Sequence, residues 1–414
     1  MKGPIARATY RTTAVLGLRL IAQSGTLLVV ARLLGPARFG AFAGVAALAV
    51  LLGALSNFGT HLVLLREVSI EQERRDGVLP YALGATLSCG ALLLLLFSAL
   101  TFTLLHHLGI DISSALCIGA AELILQPLLA LSAAEHQARG HIAGSQLLTA
   151  LPPILRLCAA LLLWQYQPAE PLHAYAIGYL GASALALVIG IRSLEARWPH
   201  WSQFRLPRHT EWVGASGFAV LNISALGPNE LDKILASRLM PLALAGVYAA
   251  SARAASALVL PVMALMLAAL PRLFRETGSA RGALLLRAIF MSSATYGAAA
   301  ATLLWLIAPA VEMLFGMKYQ GTSLTMRWLT IAVPAMALRT AAGNALMAQS
   351  RPWVRNAYET FGVVTLALAA CILVPDLPLA GMPLALACSE WSMAIIGWLV
   401  LKWFTHHRPF EDPA

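Results

Sequence analysis

NELDKILASRLMPLALAGVYAASARAASALVLPVMALMLAALPRLFRE, residues 229–276, consists of two apolar segments joined by a turn. The first segment carries Glu230, Asp232 and Lys233. The turn falls at Arg238–Pro241. The second segment runs apolar to Pro271, interrupted by Arg253, and ends in the basic pair Arg272 and Arg275. A helix needs about 20 apolar residues to cross a bilayer, so this pattern predicts a membrane hairpin. Charge inside such segments is costly and is read as a functional site by default.

The hairpin has a copy of itself. At an offset of 206 positions, Ala31-Arg32-Leu33-Leu34-Gly35-Pro36 lies over Ser237-Arg238-Leu239-Met240-Pro241-Leu242. Without a gap, Gly40-Ala41-Phe42-Ala43 then lies over Gly246-Val247-Tyr248-Ala249. The first copy joins the first and second apolar segments, and the second joins the seventh and eighth. Two homologous halves follow, a plan common among transporters.

Working outward, the 414 residues are 59% hydrophobic and 12% charged. Soluble domains carry about 25% charged residues, so a soluble core of this composition would lack polar surface. A polytopic membrane protein is the class that fits. About twelve spans are expected: 12–34, 40–65, 79–106, 112–134, 143–166, 171–192, 211–238, 243–270, 284–315, 321–349, 354–374 and 379–404. Cys89, Cys117, Cys158, Cys371 and Cys388 are scattered through these spans and read as small buried hydrophobes. Lys2, Arg7 and Arg11 precede the first span without a convincing cleavage site, which predicts an uncleaved first helix.

The net charge of +10 would suggest nucleic acid in a soluble protein, but its distribution points elsewhere. With the N-terminus inside, the inner segments hold 19 of the 29 Lys and Arg residues and the outer loops hold 4. The positive-inside rule then places both termini in the cytoplasm. The long basic connection from Arg192 to His209 contains Trp198, Trp201, Arg205 and Arg208, so 201–210 reads as an amphipathic linker on the membrane surface. It separates bundles at 1–200 and 211–414.

Six cations remain within the spans: Arg19, Arg156, Lys233, Arg253, Arg327 and Arg339. Thr12, Arg19, Gln23 and Thr26 share one face of the first helix, because offsets of 7, 11 and 14 return to the same side. Asn222, Asn229, Asp232 and Lys233 share a face of the seventh, and Asn57, Thr60 and His61 add polarity to the second. Polar faces in lipid look inward. Arg19, Arg253, Arg339 and Lys233 are therefore candidate anion-binding residues. Gln23, Asn57, His61, Asn222 and Asn229 are candidate polar cavity residues. Arg327, near the outer end of its span, fits a snorkelling residue. Arg156 fits structure or cavity equally, and Glu122, Glu359 and Glu390 are potential counter-ions. His106-His107 and His406-His407 read as loop and tail residues rather than metal ligands. No HExxH, Walker or Rossmann pattern occurs, so neither an enzyme nor a nucleotide-driven pump is expected.

Four stretches carry a family resemblance: ARLLGPARFGAFA (31–43), NFGTHLVLLREVS (57–69), LDKILASRLMPLALAGVYAASAR (231–253) and LFGMKYQGTSLTMRWL (314–329). They resemble the polysaccharide transporter or O-antigen flippase family, in the superfamily that also holds multidrug/cation antiporters and lipid II flippases. The similarity covers nearly the whole chain in order. It implies an all-α protein of two six-helix bundles around a central cavity, working by alternating access. The implied cargo is a polyprenyl-pyrophosphate-linked oligosaccharide, an O-antigen (lipopolysaccharide) or exopolysaccharide repeat unit. It would move from the cytoplasmic to the periplasmic leaflet of a bacterial inner membrane. Implied partners are that lipid-linked oligosaccharide, membrane lipids, and polysaccharide polymerase and assembly proteins, with no nucleic acid.

By the same resemblance the cationic cavity residues map onto Arg19 and Arg253. Asp232 becomes the candidate for coupling to an H⁺ or Na⁺ gradient, with no other cofactor. The chain departs from the family in being short, with tight loops. A multidrug/cation antiporter of the same fold is the alternative. It would want acidic cavity residues, whereas arginine exceeds acid here. A membrane enzyme of polymer assembly would want a long outer loop, and none is present.

Overall fold

The computed structural model describes residues 4–104, 108–194, 198–276, 280–349 and 351–407, with side chains described except at 4–14, 220–229 and some single positions. The described residues are helical almost throughout and contain no strand. Helix α1 (Pro4–Ser56) breaks at Gly35, whose φ of 72° and ψ of 168° suit glycine. Pro36 opens the second arm, where its missing N–H is no loss. That arm reaches a second break at Asn57–Gly59 and continues as α2 (Thr60–Ile70). Then come α3 (Arg75–Leu104), α4 (Ile112–Ala120) and α5 (Gln126–Ala138), the last two fused through a π-helical turn at Ala121–Leu125. They are followed by α6 (Ile142–Tyr166), α7 (Pro171–Arg192) and α8 (His209–Leu239). α9 (Leu242–Ala257) and α10 (Leu260–Glu276) form one interrupted segment, and α11 (Ala280–Phe315) the next. α12 (Thr322–Leu329) and α13 (Ala332–Ala348) meet at a 45° bend, before α14 (Pro352–Asp376) and α15 (Gly381–His407).

Among the described residues nine helical segments are long and apolar enough to cross a membrane, and the bent pair α12–α13 makes a tenth. The first of the nine, Gly17–Ser56, is two spans, because Gly35 turns the chain between its arms. α8, 31 residues long, falls on the seventh expected span but is not among those segments. Each of the twelve expected spans falls on a helical segment, the second running on to Ile70 and the eighth to Glu276. Large apolar side chains cover the outside, Leu95 at 72% exposure and Phe102 at 70% among them. In water that surface would aggregate, whereas in lipid it is the solvated face.

The repeat is visible in the breaks. Gly35 and the turn residue Pro241 stand 206 positions apart. The π-turn at Ala121–Leu125, moved by the same offset, falls on 327–331, where α12 bends into α13.

By packing, the chain forms two compact units, Met1–Glu230 and Leu231–Ala414. In the first, Phe42 packs edge-on to Tyr175 and Tyr179 at 5.4 and 5.9 Å between ring centroids. In the second, Tyr248, Met266, Leu304, Met326 and Leu346 anchor the core. The unit boundary falls inside α8, later than the linker at 201–210, because the start of α8 is fastened to the first unit. Trp212 meets Phe58 edge-on at 4.8 Å. Gly59, at φ 77°, lets the chain approach so closely that a Cβ there would stand 2.6 Å from the Phe218 Cβ and 2.8 Å from the Ala215 carbonyl oxygen. The linker is fastened as well. The Arg205 amide donates to the Pro80 carbonyl at 3.4 Å, and its guanidinium forks onto Glu211 at 2.8 and 2.7 Å. Trp198 and Phe204 pack against the first unit's core.

Candidate functional site

The six in-span cations separate by partner. In the first unit Arg156 Nη2 donates to Glu122 Oε1 at 2.8 Å and to Ser183 Oγ at 2.9 Å. Its guanidinium lies 3.5 Å from the centre of the Tyr179 ring, and the Tyr179 hydroxyl donates to the same Glu122 oxygen at 2.5 Å. Glu122 lies in the π-turn, and its carbonyl passes so near Gly53 that a Cβ there would stand 2.8 Å away. Arg156 is thereby neutralised inside its own unit.

Two of the second unit's cations are neutralised likewise. Arg339 Nε lies 2.6 Å from Glu390 Oε2, and Arg339 Nη1 lies 3.9 Å from Glu359 Oε1. Arg355 Nε holds Glu359 at 2.9 Å. All three helices that contribute, α13, α14 and α15, bury these groups. Asp232 sits between Lys233 Nζ at 3.2 Å and the Tyr248 hydroxyl, which donates at 2.9 Å. Removing charge from water is repaid only when partners and hydrogen bonds are supplied together, and both clusters meet that condition. Arg327 is exposed and lies 4.7 Å over the Trp305 ring, as a residue near the membrane surface does.

Arg19 and Arg253 differ. Arg19 is half-buried and Arg253 exposed, and among the described residues neither has a carboxylate partner. Gln23, one turn beyond Arg19, is exposed too. Arg253 lies just before the break at Leu258–Val259 between α9 and α10. Asn57 is absorbed locally, since its Oδ1 accepts from the Gly59 amide at 3.1 Å and closes the break in the second span. The His61 Nδ1 is buried without a hydrogen-bond partner among the described residues. The side chains of Asn222, Asn229, His406 and His407, and residues His106 and His107, lie outside those described.

Sequence reading missed a third cluster. Glu135, fully buried, receives Arg75 at 2.6 Å and Arg139 at 2.9 Å. The spacing of Glu135 and Arg139 on one helix was a visible signal, but burial of Arg75 was not. It also missed Tyr179 and Tyr248, whose hydroxyls hold the carboxylates. The cysteines depart from expectation: Cys158, Cys371 and Cys388 are exposed on the apolar outer surface, where a small soft side chain is as well solvated by lipid as by a core.

The family profile described as "Polysaccharide biosynthesis protein" matches residues 6–276. The chain belongs to that family. A search of curated proteins returns no match. Among solved structures, the inward-facing conformation of a multidrug resistance MATE family transporter of the MOP superfamily is similar, at TM-score 0.78 and 14% identity. It covers 95% of this chain and 98% of its own. The lipid II flippase MurJ, in an inward closed conformation, is similar at TM-score 0.69 and 12% identity over 94% and 87%. A MOP superfamily transporter from Pyrococcus furiosus, described as having a binding pocket of reverse polarity, is similar at TM-score 0.59 and 15% identity over 98% and 96%. This member of the polysaccharide biosynthesis family is accordingly a multi-pass membrane protein with the transporter fold that MATE proteins and MurJ share.

Proposed function

We propose that the chain is a flippase for a polyprenyl-pyrophosphate-linked oligosaccharide. It moves the head from the cytoplasmic to the periplasmic leaflet of a bacterial inner membrane by alternating access, with both termini in the cytoplasm. The single observation carrying this reading is the pair Arg19 and Arg253, which among the described residues have no carboxylate partner while Arg156, Lys233 and Arg339 are neutralised. An unpaired arginine facing hydrocarbon would be expensive, so each faces water or cargo. The planar guanidinium matches phosphate oxygens bidentately. One such residue lies in each compact unit. Gln23 supplies a hydroxyl-binding amide beside Arg19. Asp232, if it exchanges Lys233 for a proton or Na⁺, is the point at which an ion gradient would couple. No bond of the cargo is made or broken in this cycle, and polymerisation falls to separate partners.

The test is deletion of the gene in its host, with complementation by wild type, Arg19→Ala and Arg253→Ala. Deletion should trap the lipid-linked repeat unit on the cytoplasmic side and remove the surface glycan. Wild type should restore it, and both variants should reach the membrane yet fail. Normal glycan in the deletion strain together with raised sensitivity to cationic drugs would replace this reading with an antiporter, which the similarity in fold to MATE transporters makes the reading to test against.

A further inference from the structure

The second span is broken in mid-course. The arm from Pro36 ends at Ser56, Phe58 takes a positive φ of 46° and Gly59 one of 77°, and α2 resumes at Thr60. A positive φ on phenylalanine is strained and persists only where surroundings enforce it. Here the enforcement is the packing of Gly59 on Ala215–Ala219 and of Phe58 on Trp212. Most polar groups freed by the break are satisfied locally. The Asn57 side chain accepts from the Gly59 amide, and the Thr60 hydroxyl donates to the Asn57 carbonyl at 2.7 Å. Two are not. Ser56 Oγ and His61 Nδ1, one on each side of the break, are buried with no hydrogen-bond partner among the described residues.

Buried polar groups are nearly always paired, and the exceptions call for an explanation. Broken spans in transporters are where cargo is held, because irregular backbone at membrane depth is tolerated only against protein or a polar cavity. The eighth span, partner of the second in the repeat, is also broken, at Leu258–Val259, just past Arg253, which has no carboxylate partner among the described residues. Both repeats therefore carry a discontinuity beside polar groups that lack protein partners. The chemistry differs between the two. Arginine suits pyrophosphate, whereas a serine hydroxyl and an imidazole nitrogen suit neutral hydroxyls.

We propose that Ser56 and His61, flanking the break in the second span, form a hydrogen-bonding subsite for the glycan hydroxyls of the cargo. This rests on the flippase reading above. It divides the labour, with arginines holding the pyrophosphate and the break in the second span reading the sugar.

The experiment measures binding to the purified full chain in nanodiscs by tryptophan fluorescence. The probes are a short-chain, water-soluble prenyl pyrophosphate bearing a disaccharide and the same prenyl pyrophosphate without sugar. Wild type should prefer the sugar-bearing probe. Ser56→Ala and His61→Ala should each reduce that preference, and the double variant should remove it, a change of roughly tenfold. Affinity for the sugar-free probe should stay unchanged. His61→Gln, which keeps an acceptor, should retain part of the preference and shows that loss in His61→Ala is not misfolding. A sugar preference unaltered in the double variant overturns the subsite while leaving the flippase intact. If wild type binds neither probe, the flippase reading fails and the subsite falls with it.

Discussion

Replacing Arg339 with methionine removes the cation that lies 2.6 Å from Glu390 and 3.9 Å from Glu359. Arg355 still holds Glu359 at 2.9 Å, so the uncompensated charge is Glu390, whose side chain is fully buried. Breaking one side of a buried pair costs about 3–5 kcal/mol, because the remaining ion has neither water nor partner. For a unit the size of Leu231–Ala414, each kcal/mol moves a melting midpoint by about 2–4 °C. Arg339→Met should therefore melt roughly 10 °C below wild type in detergent, read by fluorescence-detected size exclusion. The double variant Arg339→Met/Glu390→Met removes both charges and should recover most of that loss, since apolar replacement of a buried pair is often neutral. On the proposed reading it should also export glycan, because the pyrophosphate is assigned to Arg19 and Arg253. A single variant melting with wild type would show that Arg339 is not held by the cluster. A double variant that is stable but inactive would return Arg339 to the cargo site.

Arg253→Ala should leave the melting midpoint within the effect of an ordinary surface change, about 0.5 kcal/mol, while export is lost; a large drop in melting would reveal a structural partner. Gly59→Ala should destabilise by about 3 kcal/mol, combining a left-handed backbone with a Cβ 2.6 Å from Phe218 Cβ, and normal yield and melting would contradict the packing. Asp111→Ala should cost about 1 kcal/mol, because Asp111 caps α4 by accepting from the Ser114 amide at 2.9 Å. Burial pushes the Asp111 carboxyl up, but the hydrogen bonds from Ser113 and Ser114, with the His173 imidazole beside it, outweigh burial and hold it well below the usual carboxylate range. A carboxyl depressed by folding stabilises above its ordinary range and loses that effect as pH falls through its folded value. The difference in melting between wild type and Asp111→Ala should thus be constant near neutrality and shrink in strong acid, and a difference that grows on acidification would reverse the assignment.

The spans were legible because membrane crossing is a local demand on length and hydropathy. The hairpins were legible because glycine or proline must stand at the turn, as Gly35 and Pro241 do. Asn57, Thr60 and His61 read as polar in the sequence, but that the span breaks at Asn57–Gly59 follows from packing against α8, more than 150 positions away. The π-turn at Ala121–Leu125 has no sequence mark at all. Its recurrence as a bend at the offset of the repeat becomes visible only in three dimensions. Charge pairing was the least legible feature. Arg339 and Glu390 are 51 positions apart and Arg156 and Glu122 are 34 apart, so the sequence named both acids as potential counter-ions without saying which arginines they would quench. The Arg75–Glu135–Arg139 cluster went unseen because arginines near the inner surface look like topology signals until one of them is buried.

That sorting bears on the sign of the cargo. A transporter for organic cations needs a carboxylate whose charge is not already met. Among the described residues Glu122 is met by Arg156, Asp232 by Lys233, Glu359 by Arg355 and Glu390 by Arg339. Lodging a cation beside any of them would first require displacing a buried partner, at several kcal/mol. Arg19 and Arg253, with no carboxylate partner among the described residues, impose no such exchange on an anion that reaches either of them. The asymmetry does not depend on how the two units are oriented, because each pair is internal to one unit. Among the clusters just compared, the charge left without an opposite partner is that of Arg19 and Arg253, which is the sign that the proposed lipid-linked pyrophosphate would meet.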